Sequence, residues 1–319
     1  MKVIILGAGQ MLTNLVAGCM DAGCEVVGVL RYDRIRYPLI DRILIDIFNP
    51  SQEYTYIKCH KLHEINVRSA NSAEFKKEVL RLNADIVLVG TWSEKLKKSI
   101  IDLPKIATIN VHPSLLPKYR GPNPYMQAIK NMETETGVTF HLMDESLDTG
   151  AILLEEKVEI LPTDTGKELR ERIAPKAREG IYKLLTELDE EIIVPVAQDE
   201  KHASYFPQIT SEDTMLDFTK PAEEISAHIR GFHPWFRCFF EYKNHFFVPN
   251  PYKLKIKKAG GHEGKNVGSI VEKSAKDNSL TIVCGDNKLL EMNGLKLYGY
   301  FNRFFTSFYI KYLVKIQDK

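Results

Sequence analysis

Apolar and polar positions alternate along the first half of the chain in two periods, short apolar runs and stretches of helical spacing. Residues 2–6 form an apolar run that predicts a strand, residues 9–22 carry helix periodicity, and residues 24–30 predict a second strand. Residues 71–82 read as a helix capped by Asn71 or Ser72. Residues 84–89 are almost wholly apolar, the composition of a strand covered on both faces of a parallel sheet. The next strand, residues 107–112, runs into a proline-rich loop at 113–124. Residues 138–143 continue the sheet, 152–158 pair with them, and 165–188 form a long helix started by Thr163 or Asp164. This order predicts an α/β fold with a Rossmann-like, doubly wound parallel sheet, whose ligands sit beyond the carboxyl ends of the strands.

Past residue 198 the texture changes. A helical stretch at 221–231 and an aromatic segment at 232–242 lead into short alternating strands at 252–257, 267–271, 280–283 and 289–297. Gly260-Gly261, Asp277-Asn278 and Gly285-Asp286-Asn287 punctuate them, which predicts a small OB-like β-barrel. A chain of 319 residues exceeds what one core serves. The expected division is therefore a catalytic domain over 1–190, a connector over 191–210 and the barrel domain over 211–319.

Composition narrows the classes. Lys plus Arg number 43 against 42 Asp plus Glu, so net charge offers no whole-chain argument for a polyanionic partner. The apolar runs are too short to cross a bilayer, and the N-terminal run lacks the length and cleavage site of a signal peptide. The five cysteines are scattered without zinc-ligand spacing, which reads as reduced thiols in a cytoplasmic protein that holds no metal. Cys59, His60 and His63 do not complete a metal site.

The chemistry concentrates at the end of the strand 107–112. Residues two apart on a strand face one side, so Asn110 and His112 project together at its carboxyl end. The loop that follows, Pro113-Ser114-Leu115-Leu116-Pro117, is stiffened by proline, and Asp148 in Leu147-Asp148-Thr149-Gly150 supplies a carboxylate. An amide, an imidazole and a carboxylate suit acyl transfer to an amine. Asn110 and a protonated His112 donate to the oxyanion of the tetrahedral intermediate, while Asp148 accepts the amine's proton or holds His112 charged. The amine itself attacks, and Ser114 lacks the flanking glycines of a covalent nucleophile.

Asn110-Val111-His112-Pro113-Ser114-Leu115-Leu116-Pro117 with the downstream Leu147-Asp148-Thr149-Gly150 resembles the signature of the 10-formyltetrahydrofolate-dependent formyltransferases. Tyr205-Phe206-Pro207-Gln208-Ile209-Thr210, Asp217-Phe218 and Ile229-Arg230-Gly231-Phe232-His233-Pro234-Trp235 are similar to the connector and second domain of that family's methionyl-tRNA branch. The resemblance implies catalytic roles for Asn110, His112 and Asp148. It implies a folate pocket lined by Gly90, Thr91, Trp92, Ser114, Leu115, Leu116, Pro117 and Asp144, and an acceptor bound through Arg34, Arg36, Arg120 and Gly121. The cosubstrate it implies is 10-formyltetrahydrofolate, and the acceptor is initiator methionyl-tRNA or, in a related branch, a nucleotide-linked amino sugar. A formyltetrahydrofolate hydrolase and a non-catalytic RNA-binding protein are the competing readings.

Where the tRNA branch carries a glycine-rich basic insertion, this chain reads Arg31-Tyr32-Asp33-Arg34-Ile35-Arg36-Tyr37-Pro38-Leu39-Ile40-Asp41-Arg42. Its arginines meet phosphates or form a solvated helical face paired with Asp33 and Asp41. Gly7-Ala8-Gly9-Gln10-Met11-Leu12 starts like a dinucleotide fingerprint, but Leu12 occupies the third glycine's place and Arg31 replaces the expected acid. A tight strand–helix turn is the expectation, with no NAD. Lys253, Lys255 and Lys257 alternate along a strand, where lysines guarding an edge compete with a nucleic-acid platform. Phe301, Phe304, Phe305, Phe308 and Tyr309 lie at helical spacing and read as a packing stripe.

Overall fold

A computed structural model describes residues 1–32, 39–298, 303–312 and Val314. Arg34, Arg36 and Phe301 lie outside the described residues. The chain divides into two compact units: Met1–Pro124, Glu135–Glu159 and Arg170–Pro207 form the first, and Tyr125–Thr134, Ile160–Leu169 and Gln208–Lys319 the second.

The first unit is a Rossmann-like α/β fold. Its strands are β1 (Lys2–Gly7), β2 (Glu25–Arg31), β3 (Ile86–Gly90), β4 (Ala107–His112), β5 (Glu135–Leu142) and β6 (Ile152–Glu159), in one sheet of order β2-β1-β3-β4-β5-β6. The first four are parallel, but β5 runs antiparallel to β4 and β6 antiparallel to β5. The sheet is therefore mixed, a correction to the expected all-parallel arrangement. The chain leaves β4 at its carboxyl end and enters β5 on that same edge, His112 opposite Thr139, without crossing the sheet between them.

The helices follow the apolar spacing. In α1 (Gly9–Asp21), Leu12, Leu15 and Val16 are fully buried. Gly90 lets it close on β3, since a Cβ there would fall 2.8 Å from the Leu15 Cδ1. Helices α2 (Leu39–Phe48) and α3 (Gln52–Cys59) follow β2. The helix α4 (Ala73–Leu82) starts at Ser72, whose Oγ accepts from the Phe75 N–H at 3.1 Å, and stops at Asn83 in the left-handed region. Its Phe75 and Val79 pack with Ile4, Leu6, Val87 and Val89 of the strands. Each such side chain contributes roughly 1.5–3 kcal/mol by leaving water. Two short helices, α5 (Lys98–Ile101) and α6 (Pro124–Lys130), precede and follow β4 along the chain. The long helix α7 (Gly166–Asp189) begins in a capping box of Thr165 and Glu168 rather than at Thr163 or Asp164. Asp164 instead accepts from the Leu161 N–H, holding the turn before it.

The second unit packs α8 (Ala222–Phe232) with two antiparallel sheets, β10-β11-β12-β9 and β13-β8-β7. Their strands are β7 (Phe240–Tyr242), β8 (His245–Val248), β9 (Leu254–Lys257), β10 (Ile270–Ser274), β11 (Ser279–Val283), β12 (Leu289–Met292) and β13 (Lys296–Leu297). Lys243 and Asn244 both take positive φ in the two-residue β7–β8 turn, the geometry that matches strand twist. The single strand expected over 289–297 breaks at Gly294, φ +67°, and its two halves join different sheets. Among the described residues no ladder joins those sheets into one closed barrel. Helix α9 (Arg303–Tyr312) adds Tyr309 of the expected stripe, and with it Ile310, to the core, while Phe308 of that stripe is exposed.

Candidate active site

The site grows from β4. Ile109 and Val111 are buried in the sheet, which leaves Asn110 and His112 sharing the opposite side at the strand's carboxyl end. The loop after His112 is held by its own polar groups. The Ser114 N–H donates to His112 O at 2.9 Å and the Ser114 Oγ donates to Lys118 O at 2.8 Å. Thr139 Oγ1 on β5 donates to Ser114 O and accepts from the Leu116 N–H. The Leu116–Pro117 bond is cis.

A second loop brings Asp148 to these residues. The Asp144 carboxylate accepts from the Ser146 N–H at 2.8 Å and from Thr149 Oγ1 at 2.9 Å, which folds residues 144–149 into a compact turn. Asp148 sits in that turn at φ +56° and is buried. Its Oδ2 accepts from the Gly121 N–H at 2.9 Å, its Oδ1 accepts from Asn110 Nδ2 at 3.3 Å, and His112 Nδ1 lies 3.6 Å from that Oδ1. The other ring nitrogen, His112 Nε2, donates to Tyr119 O at 2.9 Å. The three sequence-predicted catalytic side chains therefore converge on one buried spot.

A fourth residue joins them that sequence reasoning missed. His141 of β5 is the direct cross-strand partner of Asn110 and is 2% exposed. Its Nε2 accepts from Asn110 Nδ2 at 3.0 Å, and its Nδ1 donates to Leu142 O at 2.9 Å. Burial, then the neighbouring His112, pushes its pKa down to about 4. The available signal was a lone imidazole inside the apolar run 138–143, on the same strand face as Thr139.

The residues expected to bind ligands divide. Thr91 is exposed at φ +58°, and Trp92 and Leu115 are half-buried at the strand and loop ends; the Trp92 ring meets Tyr32 edge-on at 5.3 Å, with its Nε1 buried and unpartnered. Gly90 is buried against α1, and Pro117 is half-buried. Ser114 and Leu116 are buried within the loop, so they shape it rather than line a pocket. Asp144 is exposed but its carboxylate is engaged with its own turn.

Arg120 and Gly121 require correction. Arg120 is buried and bidentate to Glu200 and doubly bonded to Gln198 Oε1, so its guanidinium is not free for an acceptor. Gly121 is needed at φ +110°, where a Cβ would strike Phe206 O at 2.1 Å, and its N–H holds Asp148. Arg31 likewise leaves the basic segment. It is 2% exposed, paired with Asp46 at 2.9 Å and Glu64 at 2.6 Å, and stacked over Tyr54. At the first turn, Gly7 is required because a Cβ would sit 2.5 Å from Gly90 O, and Leu12 is fully buried. On the second unit, β9 is an edge strand and Lys257 is tied to Glu272 and Glu291, as an edge guard would be.

The family model described as formyl transferase matches residues 1–185, and the formyl transferase C-terminal domain matches residues 208–299. The chain belongs to the formyl transferase family. As a formyltransferase it is an enzyme that moves formyl groups. It is 34% identical over 293 residues to the methionyl-tRNA formyltransferase of Caldanaerobacter subterraneus subsp. tengcongensis, covering 91% of this chain and 90% of that one. It is 28% identical to the methionyl-tRNA formyltransferase of Stutzerimonas stutzeri, over 94% and 93% of the two chains. The fold is shared with the N-formyltransferase of Helicobacter canadensis solved with folinic acid and dTDP-3-aminofucose. That match has a TM-score of 0.66 at 18% identity and covers 92% of this chain and 99% of the other.

Proposed function

We propose that this formyltransferase transfers the formyl group of 10-formyltetrahydrofolate to the amino group of methionyl-tRNA. The observation that carries formyl transfer is the meeting of Asn110, His112 and Asp148 at the end of β4, where the amide nitrogen and an imidazole nitrogen lie 3.3 Å and 3.6 Å from the same Asp148 oxygen. The acceptor rests on the 34% identity to a methionyl-tRNA formyltransferase that runs through both domains. In this reading residues 1–190 act as the catalytic domain, 191–210 as the connector and 211–319 as a C-terminal OB-like domain, in a cytoplasmic enzyme.

The residues then divide the work. Asn110 Nδ2 and, with His112 protonated and its Nε2 kept on Tyr119 O, His112 Nδ1 donate to the oxygen that becomes negative when the amine adds to the formyl carbon. Asp148 takes the proton the amine must lose, which neutralises a carboxylate already held by Gly121. As the oxyanion collapses the formyl carbon–N10 bond breaks, that proton passes to the folate nitrogen, and tetrahydrofolate leaves. The folate lies against Thr91, Trp92 and Leu115. No covalent enzyme intermediate is needed. A nucleotide-linked amino sugar is the second reading, favoured by the shared fold with sugar enzymes.

The deciding assay supplies 10-formyltetrahydrofolate with methionyl-tRNA, a panel of nucleotide-linked amino sugars, or water alone. Formylated methionyl-tRNA at rates well above the sugar panel is the expected result. Turnover of a sugar alone reassigns the acceptor, and formate release that needs neither acceptor makes the enzyme a hydrolase.

A further inference from the structure

The Asn110 amide has two orientations that differ only in which atom, NH2 or O, faces its neighbours. The surroundings select one. A main-chain carbonyl only accepts, so the His141 nitrogen 2.9 Å from Leu142 O, Nδ1, carries the ring hydrogen. The ring is 2% exposed and its pKa lies at about 4, so at neutral pH the second nitrogen, Nε2, is a bare lone pair. Two acceptors cannot face one another across 3.0 Å. The Asn110 atom opposite Nε2 is therefore the NH2 group.

This leaves the amide's second N–H aimed at Asp148 Oδ1, with the longer separation of 3.3 Å. One hydrogen is anchored and the other is loosely held on the side where the carboxylate and His112 meet. The flipped amide would place its oxygen beside the Asp148 carboxylate and beside any developing oxyanion, where it would repel both.

We propose that His141 is a positioning residue, whose unprotonated Nε2 fixes the Asn110 amide so that an N–H, not the carbonyl oxygen, faces the reacting carbonyl. The proposal rests on the formyl-transfer reading of the site and assigns it a residue that acts only through Asn110. No bond to His141 forms or breaks during transfer; its hydrogen stays on Nδ1 throughout. Deletion of one oxyanion donor costs roughly 10²–10³-fold in turnover, and loosening one costs part of that.

The test is a double-mutant cycle on kcat and on the KM for 10-formyltetrahydrofolate, read with the acceptor the enzyme turns over. His141→Leu, which keeps bulk but offers no acceptor, is expected to lower kcat by about tenfold or more with little change in KM, since the lost interaction belongs to the transition state. His141→Gln, whose Oε1 can accept, is expected to recover part of the loss. In an Asn110→Ala background, His141→Leu should change kcat by less than about twofold, because the residue it positions is gone. A full, multiplicative loss in that background, or equal damage from the Gln and Leu variants, overturns the proposal while leaving formyl transfer intact.

A readout independent of turnover separates this from failure of the site itself. In 15N NMR of the wild-type protein at neutral pH, His141 Nδ1 should resonate as protonated and Nε2 as bare. The Asn110 side-chain amide should shift in His141→Leu. The opposite tautomer overturns the proposal whatever the acceptor, and absence of turnover with every acceptor overturns the formyl-transfer reading instead.

Discussion

Two polar clusters sit at the carboxyl ends of strands in the same sheet and differ in what remains of their bonding capacity. At the end of β2, Arg31 directs its guanidinium to Asp46 and Glu64 and lays its plane over Tyr54. At the end of β4, Asn110, His112 and Asp148 touch through one long bond of 3.3 Å and one 3.6 Å approach. The first cluster is closed: positive and negative charge meet at hydrogen-bond distance in a buried setting. The second is buried but slack, which is what a group that must take up new partners in a transition state requires. Charge near a strand end is thus a poor guide to function. Unfilled geometry among buried polar groups is the better one.

Breaking the closed cluster should give the largest effect. Arg31→Met removes the guanidinium that pairs with two carboxylates, each about nine-tenths buried, and retains much of the stem's volume. The expected loss is about 3–5 kcal/mol of unfolding free energy, the cost of removing one member of a buried ion-pair cluster. Urea unfolding measures it, and kcat of the molecules that remain folded should stay near wild type. A stable variant with lost turnover would instead make Arg31 part of the site.

Breaking the slack cluster should do the reverse. His112→Ala is expected to lower kcat by roughly 10²–10³-fold, about 2.7–4 kcal/mol of transition-state stabilisation, with the unfolding midpoint little changed. Steady-state kinetics beside a melting curve decides it. Near-normal turnover in a folded variant would remove His112 from the chemistry.

How much of this was legible depends on what pattern encodes. The span of β4 follows from an apolar run ending in Asn-x-His, and Ser72 follows from its position before a helical period. The direction of β5 does not, because alternation is the same whichever way a strand runs; without direction there is no register, and without register His141 cannot be set opposite Asn110. The fate of Arg31 was equally hidden. Its partners stand 15 and 33 residues away in sequence, on a helix and a loop whose placement is tertiary. Arg120 resembles a ligand-binding arginine in sequence and is a bolt between loops for the same reason. Motifs reveal which residue types gather, whereas the partners that neutralise a charge come from long-range contacts.

The site's own ionisation sharpens the contrast at intermediate size. His141 ordinarily titrates at 6.5 and in the fold at about 4. Between those values the unfolded chain binds the proton and the folded one does not, so stability is complete above pH 6.5 and falls as pH drops toward 4. The full loss from this group is about 3 kcal/mol. His141→Gln should flatten that part of the profile when unfolding is measured at pH 7.5 and again near pH 4.5.

The smallest effect is expected from a cluster that is closed but wet. Lys257 reaches Glu272 at 3.2 Å and Glu291 at 3.0 Å on the edge strand β9, with its side chain 42% exposed. Water competes for all three groups and the side chains must be immobilised to meet, so Lys257→Ala should cost under about 1 kcal/mol. The same substitution tests the surface as a nucleic-acid platform. A lysine that neutralised a phosphate would, on removal, lower the salt dependence of acceptor binding by about one unit of slope. The carboxylates already on Lys257 predict no such change, and a measured drop in slope would mean that they release it when the acceptor arrives.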